Sequence, residues 1–167
     1  PDFSSLNLFK LYCKRGNYRY AFFFAKKVSK NFAMKELQIH IPKGLRKLLP
    51  IFINKGSEWD KTFQNHEDIV GNFDKSLKYH IHGTGFLAKK TYEYLNNLIS
   101  ISGFTDNNQY NQLRFNGLDV LNPKSLIDRR DIVIIVASQF YKDIVFTLLA
   151  IGFSSDSIAI SKLDPNV

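Results

Sequence analysis

LKYHIHGTGFLAKKTYEYL, residues 77–95, decides the reading of this chain. LKYHIH alternates apolar and polar side chains, the period of a half-buried strand. Two glycines around Thr84 interrupt it, after which Phe86, Leu87, Tyr94, Leu95 and Leu98 recur near helical spacing. Strand, glycine turn and helix in that order give the pattern G-x-G-x-x-A a mechanism. Gly83 permits the tight turn, Gly85 lets backbone approach a phosphate with no Cβ in the way, and Ala88 lets the helix pack closely on the strand. The helix start offers unpaired N–H groups and partial positive charge to an anion. A turn kept only for packing uses the same glycines, and both readings stay open at this level.

The pattern continues downstream. ISISGFTDNN (99–108) is a β-rich run interrupted by Gly103 and closed by a polar turn. A short extended piece lies around Val120, and Asn122 followed by Pro123 predicts a capped short helix to about Arg129. DIVIIVAS (131–138) is an unbroken apolar, β-branched run, as a strand buried on both faces requires, and is expected at the sheet centre. QFYKDIVFTLLAIGF places Phe140, Ile144, Val145, Leu148 and Leu149 on one helical stripe and stops at Gly152. SIAIS closes the unit. Strands alternating with helices predict right-handed crossovers and a parallel sheet. The expected fold class is α/β: a small Rossmann-like parallel sheet over residues 77–167, with a helical, basic N-terminal extension over residues 1–76.

The candidate ligand contacts follow from that arrangement. Gly83, Thr84, Gly85, Phe86 and Leu87 stand at the turn and helix start. Asp106 lies 21 residues past Gly85, where an acidic residue can accept ribose hydroxyls, with Asn107 beside it. Ser138 and Gln139 follow the apolar strand at the end where ligands of open α/β sheets bind, or else cap the next helix. His82 and Tyr141 are further candidate contacts. His80 and His82 form an H-x-H pair on one strand face, a spacing some metal sites use, but no Asp, Glu or Cys completes a set nearby, and no metal is expected.

The series HGTGFLAKKTYEYL, ISGFTDNN, FNGLDVLNPKSL and DIVIIVASQFYKDIVFTLLAIGF resembles the small Rossmann-like nucleotide- or nucleotide-sugar-binding domain of bacterial surface-polysaccharide biosynthesis enzymes. Relatives of that kind include the front domain of sugar-nucleotide acyltransferases of the sialic-acid and bacillosamine type. They also include the CoA-binding-like domain preceding some membrane-associated nucleotide-sugar dehydratases. The resemblance covers about residues 78–161 and implies a nucleotide-sugar or NAD(P) ligand, with Gly83, Thr84 and Gly85 against phosphate and Asp106 near ribose or base. Two departures bear on activity: there are no glycine-marked hexapeptide repeats, and no Tyr-x-x-x-Lys pair occurs. The chain therefore reads as a binding domain without a catalytic pair. A complete NAD(P)-dependent sugar-modifying oxidoreductase and a non-catalytic, membrane-peripheral interaction or regulatory module are the alternatives.

Composition fits one full domain of ordinary globular character, with 44% hydrophobic and 23% charged residues in 167. The single cysteine, Cys13, excludes an intramolecular disulfide framework and fits a reducing compartment, and its thiol is either buried filler or reactive. The longest apolar runs, such as LLPIFI and AFFFA, fall far short of the ~20 residues that span a bilayer. With no secretory signal visible, the expected location is the cytoplasm, with a membrane-peripheral position open.

The net charge of +8 is uneven: residues 1–77 carry 14 Lys and Arg against 7 Asp and Glu, and residues 78–167 carry 9 against 8. LNLFKLYCK and YRYAFFFAKKVSKNFA read as amphipathic helices, with Lys10, Lys14, Arg15, Arg19, Lys26, Lys27 and Lys30 flanking aromatics. Residues 10–30 are therefore expected either to form an ordinary helical layer or to face an acidic partner or an anionic membrane surface; nucleic acid is disfavoured. Glu58, Asp60, Glu67 and Asp68 sit in a segment that reads as a solvated connector.

Overall fold

The computed structural model describes residues 3–108, 113–164 and 166. Contacts divide the chain into two compact units. The first runs to Thr62 and takes in Leu149–Gly152; the second holds Phe63–Leu148 and the chain from Phe153 onward. The sheet unit thus begins at Phe63, where the sequence suggested a division after residue 76.

The first unit is helical. α1 (Phe3–Lys14) and α2 (Tyr18–Val28) form a hairpin whose turn needs Gly16 at φ +74° and whose second helix starts at Asn17, the side chain of which accepts the Tyr20 N–H. Leu6, Phe9 and Cys13 of α1 and Ala21, Phe22, Ala25 and Val28 of α2 are buried at helical spacing. α3 (Met34–Gln38) and α4 (Leu48–Lys55) add Leu37, Leu48 and Leu49 to this core. The supposed solvated connector is instead ordered secondary structure. Residues 56–62 form a 3₁₀ turn that buries Trp59 and Asp60.

The second unit is a seven-stranded sheet: β1 (Gln64–Asn65), β2 (Lys78–His82), β3 (Ile101–Thr105), β4 (Arg114–Phe115), β5 (Leu118–Leu121), β6 (Ile132–Val136) and β7 (Ile158–Ile160). The strand order is β1-β7-β6-β2-β3-β5-β4, parallel except for the β4–β5 hairpin. It is a small Rossmann-like α/β fold. β2 occupies the middle and β6 lies beside it, with every residue of β6 buried. Full burial of each such aliphatic side chain stabilises by about 1.5–3 kcal/mol. α5 (His66–Gly71) opens with a capping box, in which Asn65 accepts the Asp68 N–H and Asp68 accepts the Asn65 N–H, both at 2.9 Å.

α6 (Phe86–Leu95) buries Ala88, Thr91 and Leu95, so of the stripe read from the sequence Leu95 lies on the inner face while Phe86, 68% exposed, and Tyr94 do not. Thr91 is held by its hydroxyl, 2.8 Å from that of Ser161. The helix predicted to run to Arg129 closes only as a 3₁₀ turn, Pro123–Leu126, with Asn122 accepting the Lys124 N–H. The β4–β5 turn is Asn116-Gly117, both at positive φ (48° and 78°), as a two-residue hairpin loop following the sheet twist requires. α7 (Tyr141–Ile151) ends at Gly152, φ +125°.

Candidate functional site

The chain leaves β2 toward β3 and β5 on one side, then returns to lay β6 and β7 on the other. β2 and β6 are therefore adjacent strands whose following loops diverge, the place in an open parallel sheet where a crevice forms. A cleft of about 550 Å³ opens there. Of the residues singled out in the sequence, His82, Gly83, Thr84, Gly85, Phe86, Leu87, Asp106, Asn107, Ser138 and Gln139 all line it.

The two glycines have different reasons to be glycine. Gly83 sits at φ +121°, its N–H donates to the Thr105 carbonyl at 2.8 Å, and a Cβ there would lie 2.9 Å from the Ala137 oxygen. The fold itself demands it. Gly85 has φ −92° and ψ −166°, extended backbone open to any residue, and a Cβ there would meet no atom within 4 Å. Neither conformation nor packing within the protein requires glycine at 85. Gly85 is the N-cap of α6, supplies no side-chain cap, and no acidic residue stands in the helix's first turn. The first N–H groups of α6 are left facing the cleft region without a side-chain acceptor.

Asp106 ties the loops together. Its Oδ2 accepts the Thr84 hydroxyl at 3.0 Å, its Oδ1 accepts the Asn108 N–H at 2.9 Å, and its own N–H donates to the Leu121 carbonyl. The carboxylate is half-buried and fixed at the rim, with acceptor capacity left for a hydroxyl. His82 lies deeper, 3% exposed, with Nδ1 2.9 Å from the Thr105 hydroxyl. Burial holds its pKa below the ordinary value, against the pull of Asp106, and the ring is neutral at pH 7. The Ser138 hydroxyl accepts the Phe140 N–H at 3.0 Å, so it caps the turn into α7. No lysine or arginine lines the cleft among the described residues. An anion bound here would be met by backbone N–H groups, the α6 dipole and neutral side-chain donors such as Ser138 and Gln139.

Tyr141 is not a lining residue. One position past Phe140 the helix has turned away, and the Tyr141 ring instead carries the Lys162 ammonium 4.5 Å from its centroid. On this side the cleft is lined by Phe140, in the turn just before α7, and by Ile144 within the helix. Both seemed core residues from periodicity, yet Phe140 is 63% exposed. Phe86 and Phe140 thus stand as open rings on the two loops that bound the cleft. A phenylalanine directly after each of the two strand-to-helix loops was the available signal. Asn108 and Ala137 also line the cleft without having been singled out.

His80 does not join His82 in a ligand set. Its ring lies over Gly103, where a Cβ would come 3.5 Å from it, and the β2–β3 register shifts at this point to fit. His66 is committed elsewhere, its Nδ1 accepting the Lys162 N–H at 2.9 Å.

No curated protein and no solved structure matches the chain. A family model described as C2185-like, N-terminal, matches residues 75–159, which take in the strands from β2 through β6, the glycine turn and the whole lining of the cleft. That match spans just over half of the chain, and on it the protein belongs to the C2185-like N-terminal family.

Proposed function

We propose that this chain is a cytoplasmic nucleotide- or nucleotide-sugar-binding domain of a bacterial polysaccharide or sugar-modification protein, holding ligand phosphate at the 83–85 turn. The observation that carries the reading is Gly85: a glycine that the protein's own packing does not need, at the uncapped start of a helix, where a Cβ would project into open space. Glycine is an acceptable N-cap by itself, and an approaching phosphate gives the open space at this cap a further purpose. Asp106 supports it, since a fixed carboxylate at the end of β3 is placed to accept ribose hydroxyls while its Thr84 bond holds the turn. The pathway assignment rests on the sequence resemblance.

Calorimetric titration with NAD, a UDP-sugar, coenzyme A and S-adenosylmethionine tests this. At least one should bind to the wild type and none to Gly85→Val, whose branched side chain obstructs the turn while leaving the fold intact. Failure of all four to bind at millimolar concentration overturns the reading. Binding of NAD together with turnover of a sugar substrate would move the chain to the oxidoreductases.

A further inference from the structure

The outer face of α2 is made of cations and aromatic rings alone. Arg19, Tyr20, Phe23, Lys26 and Lys27 are exposed along it, with Lys30 just beyond, while Ala21, Phe22, Ala25 and Val28 turn inward. Tyr20 is 60% and Phe23 52% exposed. From Phe3 to Lys35 the sequence has no Asp or Glu, and Lys10, Lys14 and Arg15 at the end of the neighbouring α1 add to the same positive field. Lys10 and Lys14 also repel one another at i, i+4. A face selected only for water would carry carboxylates among these cations and would not display rings.

Tyr20 and Phe23 each have one ring face already engaged. Tyr12 stacks on Tyr20 at 5.5 Å and on Phe24 at 5.6 Å, Phe23 meets Phe24 edge-on at 5.4 Å, and Lys27 Nζ lies 4.7 Å over Phe23. Nucleobases need open ring faces to stack on. An acidic peptide would use the charges and leave the rings unexplained. A lipid headgroup layer uses both: rings enter by edge and tip at the interface while ammonium groups meet phosphate and carboxylate. We propose that the α1–α2 face docks on an anionic membrane surface.

Flotation of the full chain with phosphatidylcholine vesicles, with and without phosphatidylserine, tests the proposal independently of the cleft. The chain should bind the anionic vesicles, not the neutral ones, and release as salt is raised. Joint Lys26→Gln, Lys27→Gln and Lys30→Gln substitution should lower partition about five-fold per charge removed. Tyr20→Ser with Phe23→Ser should weaken binding while leaving the salt dependence unchanged. Trp59, 2% exposed in the same unit, reports by fluorescence that each variant is folded. Absence of binding, equal binding to neutral vesicles, or tighter binding to an RNA homopolymer or to polyglutamate overturns it. The wild-type comparison decides the matter even where a variant fails to fold.

Discussion

The Thr84 hydroxyl donates to Asp106 Oδ2 across 3.0 Å, so the glycine turn after β2 and the acidic corner after β3 move as one piece. Thr84→Val keeps the branched shape and removes the donor. The fold should lose only about 0.5–1.5 kcal/mol, as for one part-exposed hydrogen bond. Affinity for the proposed nucleotide ligand should fall further, because Asp106 then keeps only the Asn108 N–H to orient it. Asp106→Asn should behave likewise, and the double variant should be less than additive in calorimetric titration. Full additivity would show the pair to be uncoupled.

Alanine at the two glycines should separate fold from function. Gly83→Ala forces a side chain at φ +121° and into the Ala137 carbonyl, and should cost about 1–3 kcal/mol in urea denaturation. Gly85→Ala should leave the denaturation midpoint within experimental error, since its Cβ meets nothing, and should weaken phosphate-containing ligands. Equal stability losses at both sites would contradict this assignment.

Phe86→Ala and Phe140→Ala remove rings that are 68% and 63% exposed, so stability should change little. If the ligand carries a base, stacking losses of about 1–3 kcal/mol should appear in its affinity. Ribose 5-phosphate, which has no base, serves as the reference whose affinity should not change.

Stability should decline below about pH 6.5, the ordinary histidine value. His66, His80 and His82 are 5%, 5% and 3% exposed, and burial holds each pKa below 6.5. Glu67 and Asp68 oppose the effect at His66, and Asp106 opposes it at His82. At His80 the Lys78 carbonyl and Asp131 oppose burial, while the Arg129 and Lys78 charges reinforce it. Between the unfolded and folded pKa values the unfolded chain binds more protons. Their contribution is therefore whole above pH 6.5 and is lost as pH falls, with a slope of up to about 1.4 kcal/mol per pH unit for each histidine. Circular dichroism melts between pH 8 and pH 5 measure it; a flat midpoint across that range would count against the buried neutral rings.

Cys13 is 7% exposed, and burial pushes its thiol up to about 12. The thiolate is the reactive form, so native protein at pH 8 should resist alkylation and react only as rapidly as the helical unit unfolds. Mass spectrometry with and without urea gives the comparison.

The sheet interior was legible because β2, α6 and α7 show periodicity and β6 is an unbroken apolar run, and the cleft was legible because glycine turns have a mechanism. What escaped did so for physical reasons. β1 is two residues long and has no pattern of its own; it exists because Gln64 and Asn65 pair with Ala159 and Ile160. The helix after Pro123 stopped at one turn although its cap was read correctly. Phe140 and Ile144 were read as part of a core stripe because helical spacing does not distinguish a side chain facing the sheet from one facing a crevice at the strand ends. The Asn116-Gly117 hairpin carried a strong local signal that the extended reading around Val120 passed over.

The sheet's two outermost strands, β1 and β4, are only two residues each. A borrowed strand needs a run of unpaired N–H and C=O groups to grip, and such short borders offer almost none. The domain is thereby guarded against polymerising edge to edge. Whatever assemblies it enters should form through side-chain surfaces, and should come apart with salt or detergent rather than requiring denaturant.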